Sequence, residues 1–166
     1  MNTANGFNDW VDGIGLGGES RDQMDTMKPW LRRVYDVYGP MSQSELTLLY
    51  TRTVIAASER AVVQVQLDVR TTTLLRPDVI VVYESGSIIV MIDGAYSAPS
   101  VTSIEPLEVT VEVASCVQDY VCLELHEAWP VCATHHAGLR AKTSDGSAVW
   151  WCSLGDHVVA AIGKLR

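Results

Sequence analysis

Four residues near the C-terminus, Cys132, His135, Cys152 and His157, have the types and the spacing to grip a metal ion. Zinc in a structural site takes four ligands in a tetrahedron, mostly thiolates and imidazoles. Two ligands separated by two residues can hold one side of the ion from a tight turn, and a second pair arrives from the far end of a hairpin. Here Cys132-x-x-His135 is the first pair, and Cys152 with His157 is the second. Between them, Leu139 to Thr143 reads as a strand, Ser144-Asp145-Gly146 as a turn, and Ala148 to Trp151 as the return strand. Asp-Gly is a favoured step for such a hairpin. The layout is that of a zinc ribbon with one His in each pair.

Several alternatives stand beside this assignment. His136 competes with His135, and His126 lies close enough in sequence to compete as well. Cys122 and His126 would share one face of a helix. Four protein ligands close the shell, whereas losing one imidazole would leave a position for water, with Asp156 or Glu127 as candidate bases. The HxE…CxxC and HExxH catalytic signatures are absent, so a structural site is expected. Without metal, Cys132 and Cys152 would be buried thiols of a small hairpin.

Other reactive groups form weaker patterns. Cys152, His157 and Asp156 could make a thiol catalytic set, but neighbouring Asp156 and His157 side chains diverge on an extended segment. Glu105, Glu108, Glu112, Glu124 and Glu127 could include an acid–base pair. Glu108 and Glu112 read instead as the wet face of a strand. Cys116 and Cys122 flank the apolar side of a helix and read as buried thiols.

These residues sit on a chain of 166 residues, enough for one domain with a real core. Its net charge is −8 and its pI near 4.8, so it repels phosphate backbones and nucleic acid is not an expected partner. The exception to weigh is the tail, where Arg140, Lys142, Lys164 and Arg166 give a positive bias. No run approaches the roughly 18 apolar residues that cross a bilayer. No signal peptide is read at the N-terminus, which leads to the expectation of a cytoplasmic protein with reduced cysteines.

The elements that must position the metal ligands read as α+β. Residues 1–20 are rich in Gly, Asn and Asp and read as a flexible arm with Phe7 and Trp10 as apolar anchors. Residues 21–128 form the core domain and residues 129–166 the ribbon-like hairpin module. Trp30, Leu31, Val34, Tyr35 and Tyr38 mark a first helix over 21–38, with Pro29 in its first turn and Gly39-Pro40 as its stop. Ser42-x-x-Glu45 is a capping box opening a second helix to about residue 58, with Leu46, Leu49, Tyr50 and Thr53 inward. A central antiparallel sheet follows. Val63-Val65-Leu67-Val69 alternates with Gln64, Gln66, Asp68 and Arg70, and Leu107-Val109-Val111-Val113 alternates in the same way. Asp78 to Tyr83 and Ile88 to Ile92 make a hairpin, while Ala95 to Glu105 reads as a loop or short edge containing Pro99. One further helix over 114–127 leads into the C-terminal hairpin.

The segment Trp-Pro-Val-Cys-x-x-His…Val-Trp-Trp-Cys…His-Val-Val-Ala-x-Ile-Gly-x-Leu, from Trp129 to Leu165, resembles the C-termini of small, mostly uncharacterised proteins of actinobacteria and their phages. That resemblance covers the last quarter of the chain and implies a phage origin, without a catalysed reaction. The combined expectation is a non-catalytic structural or assembly protein, such as a phage connector, tail or capsid-associated subunit. It would sit in host cytoplasm and virion, with protein subunits or copies of itself as partners. The alternatives are a small metal-dependent enzyme or regulator, and a nucleic-acid-binding ribbon.

Overall fold

The computed structural model describes residues 3–14 and 21–166. Gly15, Gly17 and Gly18 of the expected arm lie outside the described residues, but Thr3–Gly13 of that arm form a helix, α1. The other elements are α2 (Arg21–Tyr38), α3 (Gln43–Thr72), β1 (Val79–Glu84), β2 (Ser87–Ile92), β3 (Ala95–Val101), α4 (Pro106–Leu125), β4 (Arg140–Ser144), β5 (Ser147–Cys152) and β6 (His157–Ala161). The α+β class holds, with two three-stranded antiparallel sheets ordered β1-β2-β3 and β4-β5-β6.

The chain divides into two compact units, residues 1–50 and 51–166. In the first unit, Phe7, Trp10 and Tyr35 form an aromatic cluster, with Trp10 and Tyr35 centroids 5.3 Å apart. The Trp10 indole donates to the Met41 carbonyl at 2.7 Å. Pro29 lies well inside α2, where its missing N–H removes one helical bond, and is not a first-turn residue. Tyr38 is exposed, against expectation. The capping box is present: Ser42 N donates to Glu45 Oε2 at 2.8 Å, and Glu45 N donates back to Ser42 Oγ. The Ser42 side chain holds the Glu45 carboxyl below its ordinary range.

The second unit corrects two strand assignments. Residues 63–69 belong to α3, which runs on to Thr72, and residues 107–113 are the first turns of α4. From residue 51 onward the buried residues of α3 are Val54, Ala57, Ser58, Ala61, Val62, Val65, Asp68 and Val69, a three-to-four-residue spacing. Val63 and Leu67 are exposed, so the alternation of Val and Leu had no buried face behind it. In α4, Pro106 takes the first turn, where its missing N–H costs nothing, and Val109, Val113, Val117 and Val121 line the buried side. Glu108 and Glu112 are therefore helical. Glu112 accepts hydrogen bonds from the backbone N–H and hydroxyl groups of both Thr102 and Ser103, tying the β3–α4 connection to the helix.

The hairpin of β1 and β2 forms as expected, pairing Val79 with Ile92 through Glu84 with Ser87. Residues 95–101, expected as loop or edge, make β3 and pair with β2 on its other side. Val79, Ile88, Val90, Ile92 and Val101 are buried. The Tyr120 hydroxyl of α4 donates to Asp93 in the β2–β3 turn at 2.5 Å. That bond raises the Tyr120 pKa to about 12, helped by burial and by the nearby carboxylates, and lowers that of Asp93.

Asp68, one of the polar residues of the 63–69 alternation, is fully buried. Its Oδ2 accepts from the Trp150 indole at 2.8 Å and from Gly163 N at 2.6 Å, and its Oδ1 accepts from Leu165 N at 2.8 Å. A buried carboxylate is tolerated only when its lone pairs are met in this way. Replacing Asp68 by Ala leaves three donors without an acceptor and should cost about 3 kcal/mol or more of unfolding free energy. Urea titration followed by Trp fluorescence would measure it; a loss under about 1 kcal/mol would show that water replaces the carboxylate.

Candidate metal centre

The expected ligands come together. One ligand atom from each of Cys132, His135, Cys152 and His157 lies within 4.8 Å of all the others. The first pair sits in a loop closed by backbone bonds. Leu139 N donates to Pro130 O, Cys132 N to Ala137 O and His136 N to Cys132 O, each at 2.8 Å. The second pair flanks the turn between β5 and β6, where Cys152 and His157 are register partners. The β4–β5 hairpin turns at Asp145-Gly146, both with positive φ, which suits the strand twist. β6 was not anticipated from sequence and converts the hairpin into a three-stranded sheet.

The sulfur–nitrogen distances are those of a coordination shell. Cys132 Sγ is 3.5 Å from His135 Nδ1 and 3.7 Å from His157 Nε2, and Cys152 Sγ is 3.4 Å from His135 Nδ1. A tetrahedral ion with metal–sulfur bonds of about 2.3 Å and metal–nitrogen bonds of about 2.0–2.1 Å sets such an edge at about 3.5 Å. The residues present thus fit a zinc-sized ion in both donor chemistry and span. The two thiols are buried, His157 is half-buried and His135 is exposed. His157 Nδ1 lies 3.3 Å from the Gly155 carbonyl, which accepts its proton and leaves Nε2 free to ligate.

Burial pushes the Cys132 thiol up, but it is outweighed by N–H groups of His135 and Thr134, the His135 ring and Cys152. Together they bring its pKa down from 9.0 to about 6. The thiolate a metal requires is therefore prepared by the fold. His136 has a left-handed backbone (φ 51°), is exposed and stays outside the cluster. Cys122 also stays outside: its Sγ bonds the backbone N and O of Trp129, while His126 caps the C-terminus of α4 with φ 56°. Asp156 and Glu127 are exposed, and with His157 Nδ1 turned to Gly155 the thiol catalytic set of Cys152, His157 and Asp156 does not assemble. Cys116 is buried as expected, Cys122 is half-buried, and none of the four cysteines forms a disulfide.

Three residues that support the cluster escaped the sequence reading. Gln118 on α4 donates both amide hydrogens, one to Trp129 O at 2.8 Å and one to Leu139 O at 2.7 Å, and so clamps both ends of the first ligand loop. Trp150, two residues before Cys152 on β5, is locked by Asp68 and packs edge-to-face on Trp129 with centroids 5.4 Å apart. Gly155 lies so close to the His135 ring that a methyl group there would overlap it. A Gly two residues before a ligating His was the available signal for that contact. Asp68 and Gln118 carry no local signature.

Gly155→Ala should displace His135 and weaken metal binding at least about tenfold, the size expected for disturbing a supporting contact, in a competition titration with a chromogenic chelator. Since the folded pKa of Cys132 is depressed, its thiolate contribution is complete above 9 and fades as the pH falls through about 6. Protonation of Cys132 should begin to weaken the apparent metal affinity near pH 6 on acidification, in the same chelator competition; a weakening that begins near 9 would show that the thiolate is not prepared. Comparison of the chain with protein-family models, with curated proteins and with solved structures found no match, so the site's chemistry rests on its own geometry.

Proposed function

We propose that the cluster is a structural zinc site, and that the chain is a non-catalytic assembly protein of the kind that serves in phage particles as a connector, tail or capsid-associated subunit. The observation that carries the zinc reading is the four-ligand set itself. Two thiolates and two imidazoles at tetrahedral spacing select zinc over hard cations, which take oxygen ligands. All four positions are supplied by protein, leaving no place for a reactive water.

The assembly reading draws on the first sheet. β1 is an edge strand of sequence Val-Ile-Val-Val-Tyr-Glu, with Ile80 and Tyr83 each 47% exposed. Proteins that stay monomeric blunt such an edge with Lys, Pro or a bulge. β1 has none of these, which suits a strand completed by a neighbouring subunit. No helix among the described residues is long and apolar enough to cross a membrane.

Elemental mass spectrometry of the purified protein should find about one zinc per chain, since four protein ligands hold a single ion; absence of any metal would overturn the zinc reading. Chelation, or Cys132→Ser, should lower the cooperative unfolding midpoint of residues 51–166 as a whole, because Asp68 and Gln118 bind the module to α3 and α4. Light scattering after size exclusion should show an oligomer that Ile80→Lys disrupts while zinc is retained. A monomer at every concentration would overturn the assembly reading.

A further inference from the structure

A groove of about 370 Å³ shares no residue with the Cys/His cluster. It lies where α3, the first turn of α4, the β4–β5 turn and the chain after β6 converge, all within residues 51–166. Buried Ala57, Ala148 and Ile162 form its apolar part. Arg60 and Lys164 stand beside them, both exposed. Among the described residues, no ion pair engages either cation.

The charge pattern here runs against that of the chain. The protein has 20 acidic and 12 basic residues, yet none of the twelve residues around the groove is acidic. On an acidic protein, a cation within reach of a carboxylate normally pairs with it. Two unpaired cations around an apolar floor create a local positive potential that attracts anions. α4 adds to it. Pro106 and Leu107 bring the positive end of that 20-residue helix to the groove wall.

We propose that this groove binds a small organic carboxylate, with the carboxylate between Arg60 and Lys164 and the apolar body on Ala57, Ala148 and Ile162. The guanidinium fork of Arg60 matches both oxygens of a carboxylate, and the Lys164 ammonium supplies a second point charge. The apolar floor is what distinguishes an organic anion from a bare ion, which would use the two cations alone. The volume is at the small end of the roughly 300–1,000 Å³ typical of ligand pockets. The inference goes beyond the assembly reading and does not depend on it, since neither the metal ligands nor β1 border the groove.

The test is a ¹⁵N-NMR titration of the zinc-loaded full chain with sodium phenylacetate at low ionic strength. Saturable shifts are expected at the amides of Gln64, Leu107, Gly146 and Ser147, with a Kd on the order of 1 mM. The double variant Arg60→Ala/Lys164→Ala should raise that Kd at least about tenfold, the loss expected for charge-assisted bonds, while its remaining spectrum and zinc content stay unchanged. Ala148→Leu, which fills the floor and keeps both cations, should weaken phenylacetate binding too. Absence of saturable shifts at these amides overturns the proposal. So does inorganic phosphate or sulfate producing the same shifts with the same Kd, which would mark an adventitious ion only.

Discussion

The buried carboxylate of Asp68 is the constraint around which residues 51–166 are arranged. A charge removed from water must have its lone pairs filled, and α3 alone has no free donors to fill them. The donors arrive from elsewhere: the Trp150 indole on β5 and two backbone amides after β6. Once Trp150 is fixed, its ring meets Trp129, whose own indole donates to Thr72 one turn further along α3. The last turns of α3 therefore orient both the strand that carries Cys152 and the entry to the loop that carries Cys132. The metal ligands converge because a polar contact in the core has already set their supports.

α4 contributes in a complementary way. Its buried face is mostly Val, which fills space without specifying where a loop must lie. Its polar residues supply that information. Gln118 clamps the ligand loop, Glu112 holds the β3–α4 connection, and Glu108 accepts from Thr143 of β4 at 2.6 Å. Tyr120 reaches the turn between β2 and β3. One helix thus registers both sheets through hydrogen bonds and packs against them through methyl groups. On the outer surface of the second sheet, Arg140 pairs across from Trp151, and the Lys142 ammonium lies over the Trp151 ring at 3.8 Å.

What the sequence made legible was local. The β1–β2 hairpin, the capping box at Ser42 and the four ligands each depend on residues close in sequence, and each could be read from spacing. The two strand assignments over 63–69 and 107–113 failed for a shared reason. Both segments are rich in β-branched residues at every second position, and that alternation coincides over seven residues with half of a helical pattern. Longer windows separate the two, since 54, 58, 61, 65 and 69 keep a helical repeat that no strand of ordinary length would hold. Pro106 preceded by Glu105 was a helix start in plain view. Asp68 was hidden because a carboxylate between Leu67 and Val69 looks the same whether it faces water or the donors of a segment nearly a hundred residues away.

The separation between Asp68 and its partners also divides what the residues after β6 do from what the Cys/His cluster needs. The four candidate ligands fall within 26 consecutive residues, 132–157. Two of the three donors to Asp68 lie beyond them, at Gly163 and Leu165. Cutting the chain after β6 would spare every member of the cluster and still strip the buried carboxylate of two of its partners, leaving the Trp150 indole alone to meet it. A short segment that touches none of the four ligands is in this sense as much a part of the core as the strands before it.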